Sequence, residues 1–406
     1  MLRFEQALEA LEHLPQSRDN LAVAVDLRVE IRNALFILGE FRRGLPYLEE
    51  AKNAAVALND HSRLGKVFQL MTAHWNLEGN TERAIASGRE ALRHATESDH
   101  IDLQISARYF LGAAHHSIGR YKDAADVFLK AITLIGNRRH EHFGTTGSLY
   151  VICRAWLARC LAQLGDLTEA MPFADESVKT AVEYGQQYSL GYAYYGAGVL
   201  WLIKGDYNEA VDVLERGLRV CETSDLPVHY PLVASCLGTT YASVGRADEA
   251  LDHLRRAVQH PAWSTRLGGQ SLRMVWVAAG YLRLGRLDEA EIFVQRGLEL
   301  AAETKDNGSR AWLLAITGEI AAQRQSMNPT EAAVGYEEAL RLAQELKMRP
   351  LEAHCHLGLG TLHTRAGNSA SAHSELDAAA KLYQTMSMSS WLAVAEAAQG
   401  AQHLPA

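Results

Sequence analysis

Apolar residues recur three and four apart along nearly the whole chain, and single glycines or short polar runs interrupt them at regular intervals. The segment from Leu111 to Ala131, LGAAHHSIGRYKDAADVFLKA, shows one complete interval. Gly119 separates two helical patterns. Tyr121 and Ala124 lie three apart, and Phe128 and Ala131 continue the same face, so the spacing predicts helix, tight turn, helix. Small residues at Gly112, Ala124 and Ala131 would let the two helices approach closely, with Leu111, Tyr121 and Phe128 filling the space between them.

One such hairpin is ordinary core patterning; its recurrence at a fixed period is a stronger signal. Turn glycines stand at Gly39, Gly79, Gly119, Gly165, Gly205, Gly245, Gly285 and Gly367. Each is followed five residues later by a small residue: Gly44, Ala84, Ala124, Ala170, Ala210, Ala250, Ala290 and Ala372. The step is 40 residues in five intervals and 46 in one. A last gap of 82 hides a further unit, which keeps Gly318, Ala332, Tyr336 and Ala339 but has Ser326-Met327-Asn328-Pro329 as its turn. The count is nine helix pairs. Residues 1 to 14 read as the second half of another unit, Phe4 and Ala7 having the spacing of Phe128 and Ala131. A solenoid that starts on half a unit leaves an apolar face to be covered by a preceding segment or by something else. Residues 389 to 402 predict a closing helix with Trp391 and Leu392 turned inward. The links Leu58-Asn59-Asp60, Ser98-Asp99, Ser224-Asp225 and Lys305-Asp306 offer helix N-caps, and the enlarged link Gly136 to Gly144 accounts for the 46-residue step.

The pattern L-G-x2-H, G-x-Y-x2-A-x3-F-x2-A resembles a tetratricopeptide repeat, with His115 where that family usually has Tyr. The resemblance implies an all-α chain, a single right-handed superhelical solenoid over residues 1 to 406 with about 19 or 20 helices in antiparallel pairs. Because the step exceeds the family's usual length of about 34 residues, each helix should be about one turn longer than in the common form.

Composition fits helix packing: 48% of residues are hydrophobic, and the prolines mostly mark links, as at Pro227, Pro261, Pro329 and Pro350. Pro46 and Pro172 fall seven residues after a turn glycine, early enough in the second helix to be tolerated. No apolar run reaches membrane-spanning length, and the N-terminus is amphipathic without a signal-peptide core, so a cytoplasmic protein without membrane contact is expected. The net charge of −8 is spread without a basic stripe, which argues against nucleic acid. Cys153, Cys160, Cys221, Cys236 and Cys355 form no C-x-x-C pair and fall inside predicted helices, as buried thiols do.

Candidate chemistry is sparse. A phosphate loop, an H-E-x-x-H helix and a G-x-S-x-G elbow are all missing, and Leu357-Gly358-Leu359-Gly360 lies within a helical pattern. His140-Glu141-His142 is read as a solvated loop, and His354 and His356 diverge by about 200° around a helix. No enzyme, cofactor or metal site is expected, which leaves a binding surface. In the repeat family the first helix of each pair lines a concave groove, and the resemblance places positions spaced i, i+3, i+7, i+10 on its wall. These are Tyr192, Tyr195, Val199 and Leu202 in one unit and Leu272, Val275, Ala279 and Leu282 in another. Tyr109, His116, Arg159, Thr239, Trp312 and Glu319 fall on the same line elsewhere. The groove set is therefore Tyr109, His116, Arg159, Tyr192, Tyr195, Leu202, Thr239, Trp312 and Glu319. A peptide or amphipathic helix would suit it, although a tightly wound superhelix would turn some of these residues into core. Tyr195 is expected to face the ligand, so that its truncation spares the melting temperature, and Phe128 to be core.

The runs Gly269-Gln270-Ser271-Leu272, Arg154-Ala155-Trp156-Leu157-Ala158 and Arg349-Pro350-Leu351-Glu352-Ala353-His354-Cys355-His356-Leu357-Gly358 resemble the C-terminal repeat region of bacterial signalling proteins. Those proteins join a class III cyclase or another output domain to an AAA-like or STAND-type ATPase and then to repeats. The likeness implies a sensor or scaffold for a cyclase or ATPase of the same or a neighbouring gene. A self-associating scaffold and a peptide-pheromone receptor are the other readings.

Overall fold

The computed structural model describes residues 2–15, 17–38, 40–224, 226–263, 269–324 and 329–401. Gly39, Asp225, the turn residues 326–328 and Gln402, all named above, lie outside them. The described residues form twenty α-helices and two short 3-10 turns, without a strand. A lone helix α1 (Leu2–Glu12) precedes nine pairs. The first five pairs are α2 (Arg18–Ile37) with α3 (Gly44–Leu58), α4 (His61–Glu78) with α5 (Thr81–Glu97), α6 (Ile101–His116) with α7 (Tyr121–Ile135), α8 (Leu149–Leu164) with α9 (Leu167–Tyr184), and α10 (Gln187–Lys204) with α11 (Tyr207–Thr223). The remaining four are α12 (Tyr230–Ser243) with α13 (Ala247–Gln259), α14 (Gln270–Arg283) with α15 (Leu287–Thr304), α16 (Asn307–Gln323) with α17 (Pro329–Leu346), and α18 (Arg349–Arg365) with α19 (Ser369–Thr385). A final helix α20 (Ser389–Ala401) lies on α19.

Each pair is held as its spacing predicts. The seven described turn glycines all have positive φ, from 70° to 88°, and so end the first helix in the left-handed conformation. The small residue five positions on is buried in every unit. Phe128 has no exposed surface, and its ring lies 2.7 Å from where a side chain on Gly112 would begin, so the bare backbone of one helix seats the ring of the other. Between pairs, left-handed turns fall on ordinary residues, Asn59, Asp99, Lys305, Lys347 and Ser387.

Several expectations need correcting. Asp60 and Asp306 are N-caps, accepting from the backbone N–H of Arg63 and Ser309. Ser98 and Asp99 are not: the left-handed Asp99 ends α5, and His100 caps α6 through Nδ1. Ser224 likewise ends α11, and α12 starts only at Tyr230. In α1, Phe4 and Ala7 are exposed, while Leu8 is buried against Ala24, Ile31 and Leu35. α1 buries the face it turns to α2.

The winding is tight enough for successive turns of the superhelix to touch. Thr81 Oγ1 is 3.3 Å from the Thr304 carbonyl, and Lys305 Nζ is 2.5 Å from Glu82. Gly119 lies against Gly308, where a Cβ would come within 2.6 Å of backbone nitrogen. Arg349 donates through Nε to the Leu164 carbonyl at 2.7 Å and pairs with Asp166. Trp391 sits 2.7 Å from the Cβ position of Gly205 and its ring stacks on Tyr383. Four intra-pair turns in the N-terminal half therefore dock on inter-pair links in the C-terminal half, and the concave groove becomes an internal lumen.

Candidate ligand chamber

Winding brings the inner faces of the first helices together around two cavities. The N-terminal cavity measures about 520 Å³ and is walled by α2, α4, α6, α8, α10 and α14, together with residues 144–146 of the enlarged link. The C-terminal cavity measures about 340 Å³ and lies among α10, α12, α14, α16, α18 and α20. Of the nine groove residues read from the sequence, Tyr109, His116, Arg159, Tyr192 and Tyr195 line the first, and Leu202, Thr239, Trp312 and Glu319 line the second.

The line of residues is thus cavity wall and packed interior at once. Tyr195 is only 2% exposed, so the expectation that it can be truncated without loss of stability does not hold. Val199 is core and borders neither cavity. Thr239 donates to the Trp276 carbonyl at 2.5 Å and staples α12 to α14. Trp312 Nε1 donates to Gln163 Oε1 at 3.0 Å, a bond between helices of different superhelical turns. Glu319 faces the lumen, where scarcity of solvent holds its carboxyl above the ordinary range, against the pull of Arg283 and Gln323.

Aromatic edges define the N-terminal cavity. His229 meets Tyr188 and Tyr192 edge-on with ring centroids 4.8 and 4.6 Å apart, and His116 stands 4.8 Å from Trp156. Burial drives His116 well below the usual imidazole value, and Arg159 reinforces this, so His116 is neutral. In the C-terminal cavity burial lowers His354 to about 3; its Nδ1 bonds the Tyr383 hydroxyl at 2.7 Å and its ring meets Trp391 at 4.4 Å.

The charges were not legible in sequence apart from Arg159. Arg32, Lys66, Arg159 and Arg273, from four different repeats, face the N-terminal cavity, and Asp306 is the one carboxylate among the described residues that line it. Burial pulls Arg32 down to about 10 and lowers Lys66 as well, Arg32 adding to the effect on Lys66. Asp306 is occupied: Oδ2 accepts from Ser271 Oγ at 2.5 Å and Oδ1 from the Ser309 N–H at 2.9 Å.

Elsewhere, His61 Nδ1 lies 3.0 Å from His94 Nδ1 and 2.7 Å from Glu97, a grouping of ligand type not singled out in the sequence. Arg93 lies beside this group, 2.8 Å from His94 Nε2 on the other edge of the ring and 2.9 Å from Glu97. In the enlarged link, which was read as solvated, His142 Nε2 bonds Tyr184 at 2.9 Å and His140 packs on the same ring. All five cysteines are buried, and burial pushes Cys153, Cys160 and Cys221 up to about 12. Among the described residues no helix is long and apolar enough to cross a membrane.

Comparison with known proteins agrees with the geometry. Two family models, both described as tetratricopeptide repeat, match residues 73–138 and residues 151–176 and 231–256. No curated protein matches the sequence. Among solved structures, a Rap protein complexed with Competence and Sporulation Factor superposes with a TM-score of 0.64 at 12% identity, covering 91% of this chain and 99% of that one. The apo form of RapI gives 0.54 at 13% identity over 69% of this chain and 98% of its own. The apo form of the quorum sensor NprR from B. thuringiensis gives 0.53 at 16% identity over 90% and 99%. At these identities the likeness is one of fold. The chain carries tetratricopeptide repeats, and it winds them into an all-α solenoid of nine helix pairs.

Proposed function

We propose that residues 1–406 act as one superhelical, non-catalytic receptor module, whose lumen takes up a peptide or a segment of another protein in the cytoplasm. The observation that carries this reading is the pair of cavities along a single lumen, walled by rings and a few polar groups, as in sites that anchor extended ligands. Contacts between superhelical turns supply the output. A ligand that favours one pitch shifts the pairing of Arg349 with Asp166 and of Thr81 with Thr304, and so alters the surface offered to a partner. That partner, on the resemblance of the later repeats, is a cyclase or ATPase of the same or a neighbouring gene. The Rap structure contains Competence and Sporulation Factor and NprR is described as a quorum sensor, which supports reception of a signal by such a fold.

The test is calorimetric titration with peptides selected by display against the whole chain. Half-buried Tyr192→Ala should weaken binding by about 1 to 3 kcal/mol, while Leu129→Ala, on the exposed side of α7, should not. Loss only at Leu129 overturns the lumen reading. Concentration-dependent self-association in light scattering without peptide binding favours the scaffold.

A further inference from the structure

Arg159 is 5% exposed and lies between two rings, 4.3 Å from the centroid of Trp156 and 4.7 Å from that of Tyr195. It makes no hydrogen bond or ion pair with any described residue, and its Nε is shut off from solvent without an acceptor. A buried guanidinium normally has a carboxylate or several carbonyls around it, because removing the charge from water is costly unless it is paired. Here the facing rings give only cation–π attraction, which falls short of a full ion pair. Across the same cavity, and among the described residues, half-buried Lys66 has no acid within ion-pair distance, and Arg32 hydrogen-bonds the Asn33 amide alone. Among the described residues that line the cavity, the one carboxylate is Asp306, which is held by two serines. This excess of positive charge occurs inside a chain whose net charge is −8.

We infer that the N-terminal chamber selects acidic peptides, with a carboxylate of the ligand seated on Arg159 and further carboxylates met by Lys66 and Arg32. The inference rests on the receptor reading above and adds the ligand's chemistry. Carboxylate suits the site better than phosphate. These cations are carried singly by α2, α4 and α8, as separated acidic side chains of an extended chain require. They are not gathered around a glycine-rich helix start, the arrangement that holds a phosphate group.

The experiment measures binding of two fluorescent heptapeptide pools to the full chain. One pool has Glu at alternate positions and the other Gln, with aromatic and aliphatic residues otherwise matched. The acidic pool should bind at least about tenfold tighter, equivalent to about 1.4 kcal/mol, and Arg159→Met should abolish that preference. Because an unpaired buried charge is removed and the stem's packing kept, Arg159→Met should melt at or above the parent temperature; a drop of many degrees would mark Arg159 as structural and overturn the assignment. Lys66→Gln, at the less buried end, should cut the preference in part and serves if Arg159→Met does not fold. Equal binding of both pools overturns the acidic selection while leaving the receptor reading intact. Binding of neither pool removes both. Displacement of the acidic pool by inorganic phosphate or ATP at lower concentration than by free acidic peptide assigns the site to phosphate instead.

Discussion

Phe128 and Tyr195 look alike in sequence, each an aromatic residue at helical spacing, and only their surroundings separate them. The Phe128 ring fills the notch over Gly112, so Phe128→Ala should cost about 3 to 5 kcal/mol through lost burial and the cavity left behind. Tyr195 is equally enclosed, and its hydroxyl has only the Trp276 indole N–H beside it in poor hydrogen-bond geometry, so Tyr195→Phe should shift stability by less than about 1 kcal/mol. Chemical denaturation of both variants checks the pair, and destabilisation of Tyr195→Phe by more than about 1 kcal/mol would show a hydrogen bond on that hydroxyl. The nine groove residues, taken from the repeat resemblance, border one cavity or the other, while Val199 on the same line is core. Spacing could not show that Thr239 spends its hydroxyl on the Trp276 carbonyl, nor that Arg32, Lys66 and Arg273 join Arg159. Those meetings depend on superhelical pitch, which leaves no period in the sequence.

Helix pairs were the most legible level, since eight of the nine units repeat a turn glycine with a small residue five positions on, and the described residues form nine pairs. Two of these turns differ in a way the repeat conceals. Gly285 needs its glycine only for a φ of 70°, with open space around it. Gly165, at φ 81°, also lies under the Met386 sulfur of the next superhelical turn. Gly285→Ala should therefore cost about 1 to 2 kcal/mol, the penalty of the left-handed conformation, and Gly165→Ala clearly more. Hydrogen exchange should in addition quicken around residues 383–388 in Gly165→Ala alone. Equal losses in the two variants would mean that the turns do not press on one another. Helix starts were read less well than helix ends, because Ser98-Asp99 and Ser224 carry good capping side chains but occupy the end of the preceding helix. The run from Arg349, quoted for its resemblance to signalling proteins, proves to contain a clamp between superhelical turns.

Closure of the solenoid on itself buries ionisable groups as well as rings. Burial lowers the pKa of His74, His94, His115, His116, His253 and His354. Each is neutral in the folded chain and takes up a proton on unfolding below about pH 6.5. The unfolded state then binds more protons, so stability is full above that pH and is lost progressively as pH falls toward the folded values, about 3 for His354. Asp306 and Glu319, raised by burial, act in the opposite sense above their unfolded values, but they are two groups against six. The melting temperature should fall between pH 7 and pH 5, and a constant or rising value would contradict the buried neutral histidines. The central claim is that the inner wall, enclosed by winding, is where the ligand lies. Photo-cross-linking tests it most directly: a display-selected peptide carrying benzophenone is irradiated on the intact chain and the attachment sites are mapped by mass spectrometry. The account predicts attachment at Tyr109, Trp156, Tyr192 and their neighbours around the N-terminal cavity. Attachment at exposed apolar residues of the second helices, such as Val56, Leu129, Val182 or Ile292, with none in the lumen, would contradict it.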